Sequence, residues 1–264
     1  MIHSRERAGG SGGCGAAPPC SLLISIFALS EVEAALAGGA DIVDVKNPAE
    51  GSLGAPTPEL VRAIRSRVAS PVRLSAALGD APNLPGTMAL AAAGAAACGA
   101  DYLKIGLLGA SRPPQALDLL IAVRRAAELN PRTRIMAVAY ADAQRVGGLP
   151  PAELPRVARE AGVHGVMLDT AIKDGGSTWA ALGEAGTAAF FATARSLGLA
   201  TALAGGLGPA DIEPARQIGV DIVGFRGSAC ENGRNGTVSA ARVQALRAAL
   251  EAGADPGQAL LVHP

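Results

Sequence analysis

Lysine is almost missing from this 264-residue chain: only Lys46, Lys104 and Lys173 occur, and every other basic side chain is arginine or histidine. Aromatic residues make up 3% of the chain, too few to build stacking platforms for single-stranded bases. Lys plus Arg and Asp plus Glu each total 23, so no field of one sign exists to gather nucleic acid or an anionic membrane. The longest apolar run, over 88–98, is Ala-rich, interrupted by Gly94 and far short of the roughly 20 residues that span a bilayer. Cys14, Cys20, Cys98 and Cys230 lack the CxxC spacing of a zinc site, and reduced thiols in a cytoplasm are the expectation. Histidine is equally sparse. His3 and His263 lie near the termini and His164 stands ahead of a strand, so no metal site and no cofactor are called for. Residues 1–20 are Gly, Ala and Pro in place of the leucine-rich segment of a secretory signal, and are expected to form a flexible arm.

What the chain has in quantity is apolar material, 49% hydrophobic against 17% charged, enough for a large packed core. From Ser21 onward, short β-branched runs alternate with longer segments of helical period, and eight such rounds are counted. The strands are expected over 21–26, 41–45, 72–78, 101–106, 134–140, 165–169, 200–204 and 221–226. Gly-Ala-Asp or Gly-Val-Asp introduces a strand three times, in GGADIVDV, CGADYLKI and IGVDIVGF, and AGVHGVML is a weaker fourth copy. Eight parallel-type rounds with a repeated αβ corner favour a single (β/α)8 TIM barrel, an α/β fold, over a doubly wound sheet. The barrel is assigned to 21–251, with a tail over 252–264.

In such a barrel, chemistry belongs at the C-terminal strand ends. Period-two alternation in DIVDVKNP puts Asp44 and Lys46 on one face with Ile42, and Val43 and Val45 on the other. Lys104 closes the fourth strand, Asp169 closes the sixth, and Lys173 lies in the loop beyond. A chain that uses arginine everywhere else and keeps lysine at these three places needs an amine that can lose its proton, which arginine cannot do. A free lysine, with a pKa of about 10.4, is neutral in only about one molecule in a thousand at neutral pH, so a nucleophile must be buried or set beside another cation. Inward lysines on strands two and four meet that requirement, with Asp44 and Asp169 to balance charge and move protons. After strands seven and eight, Gly205, Gly206, Gly227 and Ser228 can aim backbone amides at a phosphate, with Arg226 nearby.

The phrases GGADIVDVKNPAEGSLGA, GADYLKIGLLG, YADAQRVG, MLDTAIKDG and DIVGFRGSAC together resemble the (5-formylfuran-3-yl)methyl phosphate synthase family of methanofuran biosynthesis, over about 21–250. The resemblance implies a (β/α)8 barrel and a lyase of the Schiff-base type. It would join two glyceraldehyde 3-phosphate molecules into a phosphorylated furan aldehyde without a metal. It also implies Lys46 as the imine former, Lys104 as the proton acceptor, and active-site places for Asp44, Asp169 and Lys173. The expected partner is a small phosphorylated aldehyde, with neither nucleic acid nor membrane, and assembly with further copies of the chain is left open. Two rivals stand beside this reading: another Schiff-base sugar-phosphate aldolase with a linear product, and a barrel that binds a phosphorylated metabolite without turnover.

Overall fold

In a computed structural model, which describes residues 20–80 and 83–252, eight parallel strands close in sequence order into a barrel. They are β1 (Ser21–Ile26), β2 (Ile42–Val45), β3 (Arg73–Ala77), β4 (Tyr102–Gly106), β5 (Arg134–Tyr140), β6 (Gly165–Asp169), β7 (Ala200–Leu203) and β8 (Ile222–Phe225). Each lies inside the run expected for it. The arm expected over 1–20 and the tail expected over 252–264 lie outside the described residues, apart from Cys20 and Ala252, the last residue of the final helix. Around the barrel run α1 (Val32–Ala37), α2 (Pro58–Arg65), α3 (Pro85–Ala97), α4 (Pro113–Ala127), α5 (Ala143–Val146), α6 (Leu154–Ala161), α7 (Thr178–Ser196), α8 (Ile212–Gln217) and α9 (Ala240–Ala252). No helix among the described residues is long and apolar enough to cross a membrane.

Helix α7 begins well before the TAAFF segment that carries its apolar period. Ser177 caps it by accepting a hydrogen bond from the Ala180 N–H, and Gly183, at φ 75°, breaks the helical phase between its two parts. That break hides the first turns from a periodicity reading.

The repeated Asp has a physical role at the lower end of the barrel. Asp41, just before β2, accepts the Leu22 N–H of β1; Asp101, before β4, accepts the Leu74 N–H of β3; Asp221, before β8, accepts the Thr201 N–H of β7. The fourth copy carries histidine in the same place, and His164 Nδ1 accepts the Ile135 N–H of β5 at 3.1 Å. Each even strand thus satisfies a backbone donor at the lower end of the odd strand before it, where the ladder alone leaves it unpaired. His164 therefore belongs to the floor, away from the strand ends where chemistry is sought.

Inside the barrel the layers change character from bottom to top. Leu23, Ile42, Met136, Met167, Ala202 and Ile222 form an apolar plug. Val43 and Val45 face outward into the larger core between strands and helices, as the alternation of β2 requires. Above the plug, Ser25, Asp44, Ser75 and Lys104 form a polar layer that is almost wholly shielded from solvent.

Candidate active site

The register carries the site. Asp44 of β2 lies opposite Ser25 of β1 and Ser75 of β3, and Lys104 of β4 lies opposite Ala77, one step higher. Lys104 Nζ reaches back down to Asp44 Oδ2 at 2.6 Å, and Ser25 Oγ donates to the same oxygen at 2.9 Å. Asp44 Oδ1 and Ser75 Oγ are buried and, among the described residues, have no hydrogen-bond partner. On the opposite wall, Lys173 donates to Asp169 Oδ1 at 2.6 Å and to Thr170 Oγ1 at 3.1 Å. Burial alone pushes the Asp169 carboxyl upward, but Lys173, Lys46 and Lys104 outweigh it and hold the group well below the usual carboxylate range.

Lys46 is different from the other two lysines. It follows the last residue of β2, is 4% exposed, and lines a cavity of about 300 Å3 at the upper end of the barrel. Among the described residues its amine has neither a hydrogen bond nor an ion pair. Burial is the main cause that lowers its pKa to about 8; Asp169 and Asp44 pull upward, and Lys104 and Lys173 push down. The three lysines thus divide into two held by carboxylates and one unpaired.

Loops complete the walls. The chain after β2 crosses the mouth, where Ser52 Oγ donates to the Thr170 carbonyl at 2.9 Å and Leu53 is fully buried. The Leu53 N–H donates to Asp80, whose other carboxylate oxygen accepts a hydrogen bond from the Tyr140 hydroxyl. This pair occupies the space a side chain at position 106 would need, so Gly106 is what admits it. Burial raises the pKa of both Asp80 and Tyr140, and in Tyr140 the Asp80 charge adds to the effect. Sequence reasoning passed over this pair. Tyr140 is one of only two tyrosines and ends a strand, which was the available signal.

After β7, Gly205 and Gly206 take φ values of 94° and 64°, and a side chain on either would run into the Thr170–Thr178 wall. Thr178 pins the turn by donating its N–H to Gly205 O at 2.9 Å and its hydroxyl to Ala204 O at 2.5 Å. Gly205, Gly206, Gly227 and Ser228 all line the cavity with Lys46. The Ser228 hydroxyl is committed elsewhere, donating to Leu207 O at 2.7 Å, so it ties the β8 loop to the β7 loop and leaves its backbone N–H as the group to consider. Arg226 also borders the cavity, but its guanidinium is spent. Nε donates to Arg234 O at 3.0 Å, Nη1 to Ser25 O at 3.2 Å and Glu31 Oε2 at 2.7 Å, and Nη2 to Gly236 O at 2.6 Å. Arg234, in the loop before α9, also lines the cavity, and among the described residues its guanidinium has no such partners.

The arrangement unites a buried unpaired amine, two lysine–carboxylate pairs and a glycine turn whose N–H groups have no partner among the described residues. It can form an imine, move protons beside it and hold an anion. A family model described as 4-HFC-P synthase matches residues 22–247. The (5-formylfuran-3-yl)methyl phosphate synthase of Methanothermobacter thermautotrophicus is 46% identical over 216 residues, 82% of this chain and 92% of its own. A protein of Streptomyces griseus named as a putative member is 45% identical over 214 residues, 80% of this chain and 86% of its own. Among solved structures, KGPDC from Streptococcus mutans in complex with D-R5P superposes with a TM-score of 0.61 at 18% identity, over 88% of this chain and 98% of that one, a likeness of fold alone. With its lysines, carboxylates and glycine turn standing in the barrel mouth and its sequence matched from the first strand to the last helix, the chain belongs to the 4-HFC-P synthase family.

Proposed function

We propose that this chain is a (5-formylfuran-3-yl)methyl phosphate synthase that condenses two molecules of glyceraldehyde 3-phosphate through an imine on Lys46. One observation carries the proposal: Lys46 is the buried lysine without a carboxylate partner, while Lys104 and Lys173 each hold one at 2.6 Å. A neutral amine is the nucleophile, and burial without a counter-ion is what favours it.

The Lys46 amine adds to a substrate carbonyl, and water leaves as the imine forms. The protonated imine acidifies the neighbouring C–H. Lys104, held against Asp44 at 2.6 Å, is the base that removes that hydrogen, and Asp169 with Lys173 serves the proton transfers on the other wall. The enamine carbon then bonds to the aldehyde carbon of the second triose. Elimination of one phosphate, ring closure and loss of water give the furan aldehyde and return the free amine; over the whole reaction two trioses yield one product, one phosphate and two waters. The amides of Gly205, Gly206, Gly227 and Ser228 supply donors for the retained phosphate. Within the methanofuran pathway the product is the furan precursor.

Incubation with glyceraldehyde 3-phosphate should yield inorganic phosphate and a product with the mass and strong ultraviolet absorption of a furan aldehyde. Borohydride added during turnover should leave covalent mass on the peptide that contains Lys46. A linear sugar phosphate would replace this reading with an ordinary aldolase. An adduct on Lys104 alone would exchange the roles of the two lysines.

A further inference from the structure

We propose that Arg234 is the side-chain clamp for the substrate's phosphate group, and that Arg226 and Glu31 form the buried buckle that holds it over the cavity. This deepens the reading of the cavity as the site of a phosphorylated aldehyde and rests on it.

A guanidinium binds phosphate through free N–H groups, and four of the five on Arg226 are already bonded to Ser25, Glu31, Arg234 and Gly236. The group is 7% exposed and lies 3.8 Å from the centroid of the Phe27 ring. A phosphate at that place would have to displace a carboxylate and three carbonyls. What those bonds do is fix a loop. Arg226 takes the carbonyls of Arg234 and Gly236, and the far oxygen of Glu31 accepts the Val238 N–H at 3.1 Å. Glu31 also accepts the Phe27 N–H at 2.7 Å, which anchors the buckle to the end of β1. Burial acts to raise the Glu31 carboxyl, but the bonds from Arg226, Phe27 and Val238 hold it ionised, below its ordinary range.

The loop so fixed projects one cation. The Arg234 side chain is half-buried, lines the cavity with Lys46, Lys173 and Gly206, and lies 5.9 Å from the centroid of Phe27. Among the described residues its guanidinium has no hydrogen bond or ion pair. In the same cavity lining, the N–H groups of Gly205, Gly206 and Leu207 likewise have no partner among the described residues. A planar fork and a turn of backbone donors lining one cavity suit a dianionic phosphate monoester, which needs several donors at once.

The test uses inorganic phosphate as the probe, alongside turnover of glyceraldehyde 3-phosphate by the full chain. Arg234→Gln should weaken phosphate binding, measured by calorimetry, and raise KM by about ten- to a hundredfold, the scale of a lost charge-assisted pair. KM should rise more than kcat falls. Arg234→Lys should recover part of the affinity. Phosphate binding equally tight in wild type and Arg234→Gln, or no phosphate binding by the wild type, overturns the clamp. If phosphate binding depends on Arg234 yet no furan forms, the clamp stands and the proposed function fails. Glu31→Gln, outside the cavity, should also weaken phosphate binding; full affinity in a folded Glu31→Gln protein removes the buckle. Should that variant not fold, Arg234→Gln still decides the clamp.

Discussion

An amine buried without a counter-ion is costly to charge, and Lys46 shows the consequence in a pKa brought down to about 8. The sign follows directly. Below that value the ammonium dominates and cannot attack a carbonyl; above it the free amine dominates. Initial rates of borohydride trapping on Lys46 should therefore rise with pH and level off, with a midpoint near 8. A midpoint near 10 would mean that the amine is solvated during reaction. Lys104 tests the other role. Lys104→Arg keeps the positive charge beside Asp44 but removes a proton acceptor, so turnover should fall at least about a hundredfold while the Lys46 adduct still forms. Near-normal turnover in Lys104→Arg would move the base to Lys173 or Asp169. At this scale the sequence was informative where a residue type was rationed: three lysines among many arginines marked two positions lining the upper cavity, Lys46 and Lys173, and one, Lys104, in the buried polar layer. It was uninformative for arginine, because twenty copies give no contrast, and the difference between the spent Arg226 and the free Arg234 is made by loop carbonyls. Gly206 was legible as a turn, but its crowding against Gly176 O and Ser177 was not, so a side chain there perturbs the fold as well as phosphate access.

Among the elements, the αβ corner is the one whose motif and chemistry coincide. Three corners use aspartate as the acceptor for a neighbouring strand and one uses His164, so only that corner can be switched off near neutrality. His164 accepts the Ile135 N–H through Nδ1, which requires the neutral ring with its proton on Nε2. Burial, with Arg134 and Arg124 nearby, lowers its folded pKa below the usual 6.5. The unfolded chain therefore takes up the proton first. The cap's contribution is full above about pH 6.5 and is lost as pH falls through the depressed folded value. His164→Asn keeps an acceptor at the same distance and cannot titrate, so the Tm gap between it and the wild type should shift in favour of the variant between pH 8 and pH 5. A gap that is constant over that range would show that the hydrogen bond does not depend on the neutral ring. The strands were readable for the same reason the corner was: each is a short β-branched run behind a repeated signal. Helix α7 was only half readable, since Gly183 splits its period.

For the molecule as a whole, the polar layer inside the barrel is costly to bury, and it holds Asp44 and Lys104, two of the residues proposed to act. Eight rounds of strand and helix sufficed to read the closed sheet, because parallel strands buried on both faces have a pattern little else produces. The polar layer inside it was legible on β2 through alternation. Its pairing of Asp44 with Lys104 was not, because that depends on which rung of one strand faces which rung of another two places away. The layer has the marks of retention for function. Asp44 is fully buried, and among the described residues one of its oxygens has no donor and the Ser75 hydroxyl beside it has no partner. Removing one member should be severe. Lys104→Met leaves a buried carboxylate with Ser25 as its one remaining donor and should cost about 3–5 kcal/mol. Replacing the set together removes the desolvation penalty as well as the attraction, so the triple variant Ser25→Ala, Asp44→Leu, Lys104→Met should unfold no earlier than wild type and up to about 4 kcal/mol more stably. At about 2–4 °C per kcal/mol for a chain of this size, thermal unfolding resolves the difference. The triple variant should have no measurable turnover. A triple variant less stable than Lys104→Met alone would mean that the buried pair holds the barrel together, and the case for a layer kept at the expense of stability would fail.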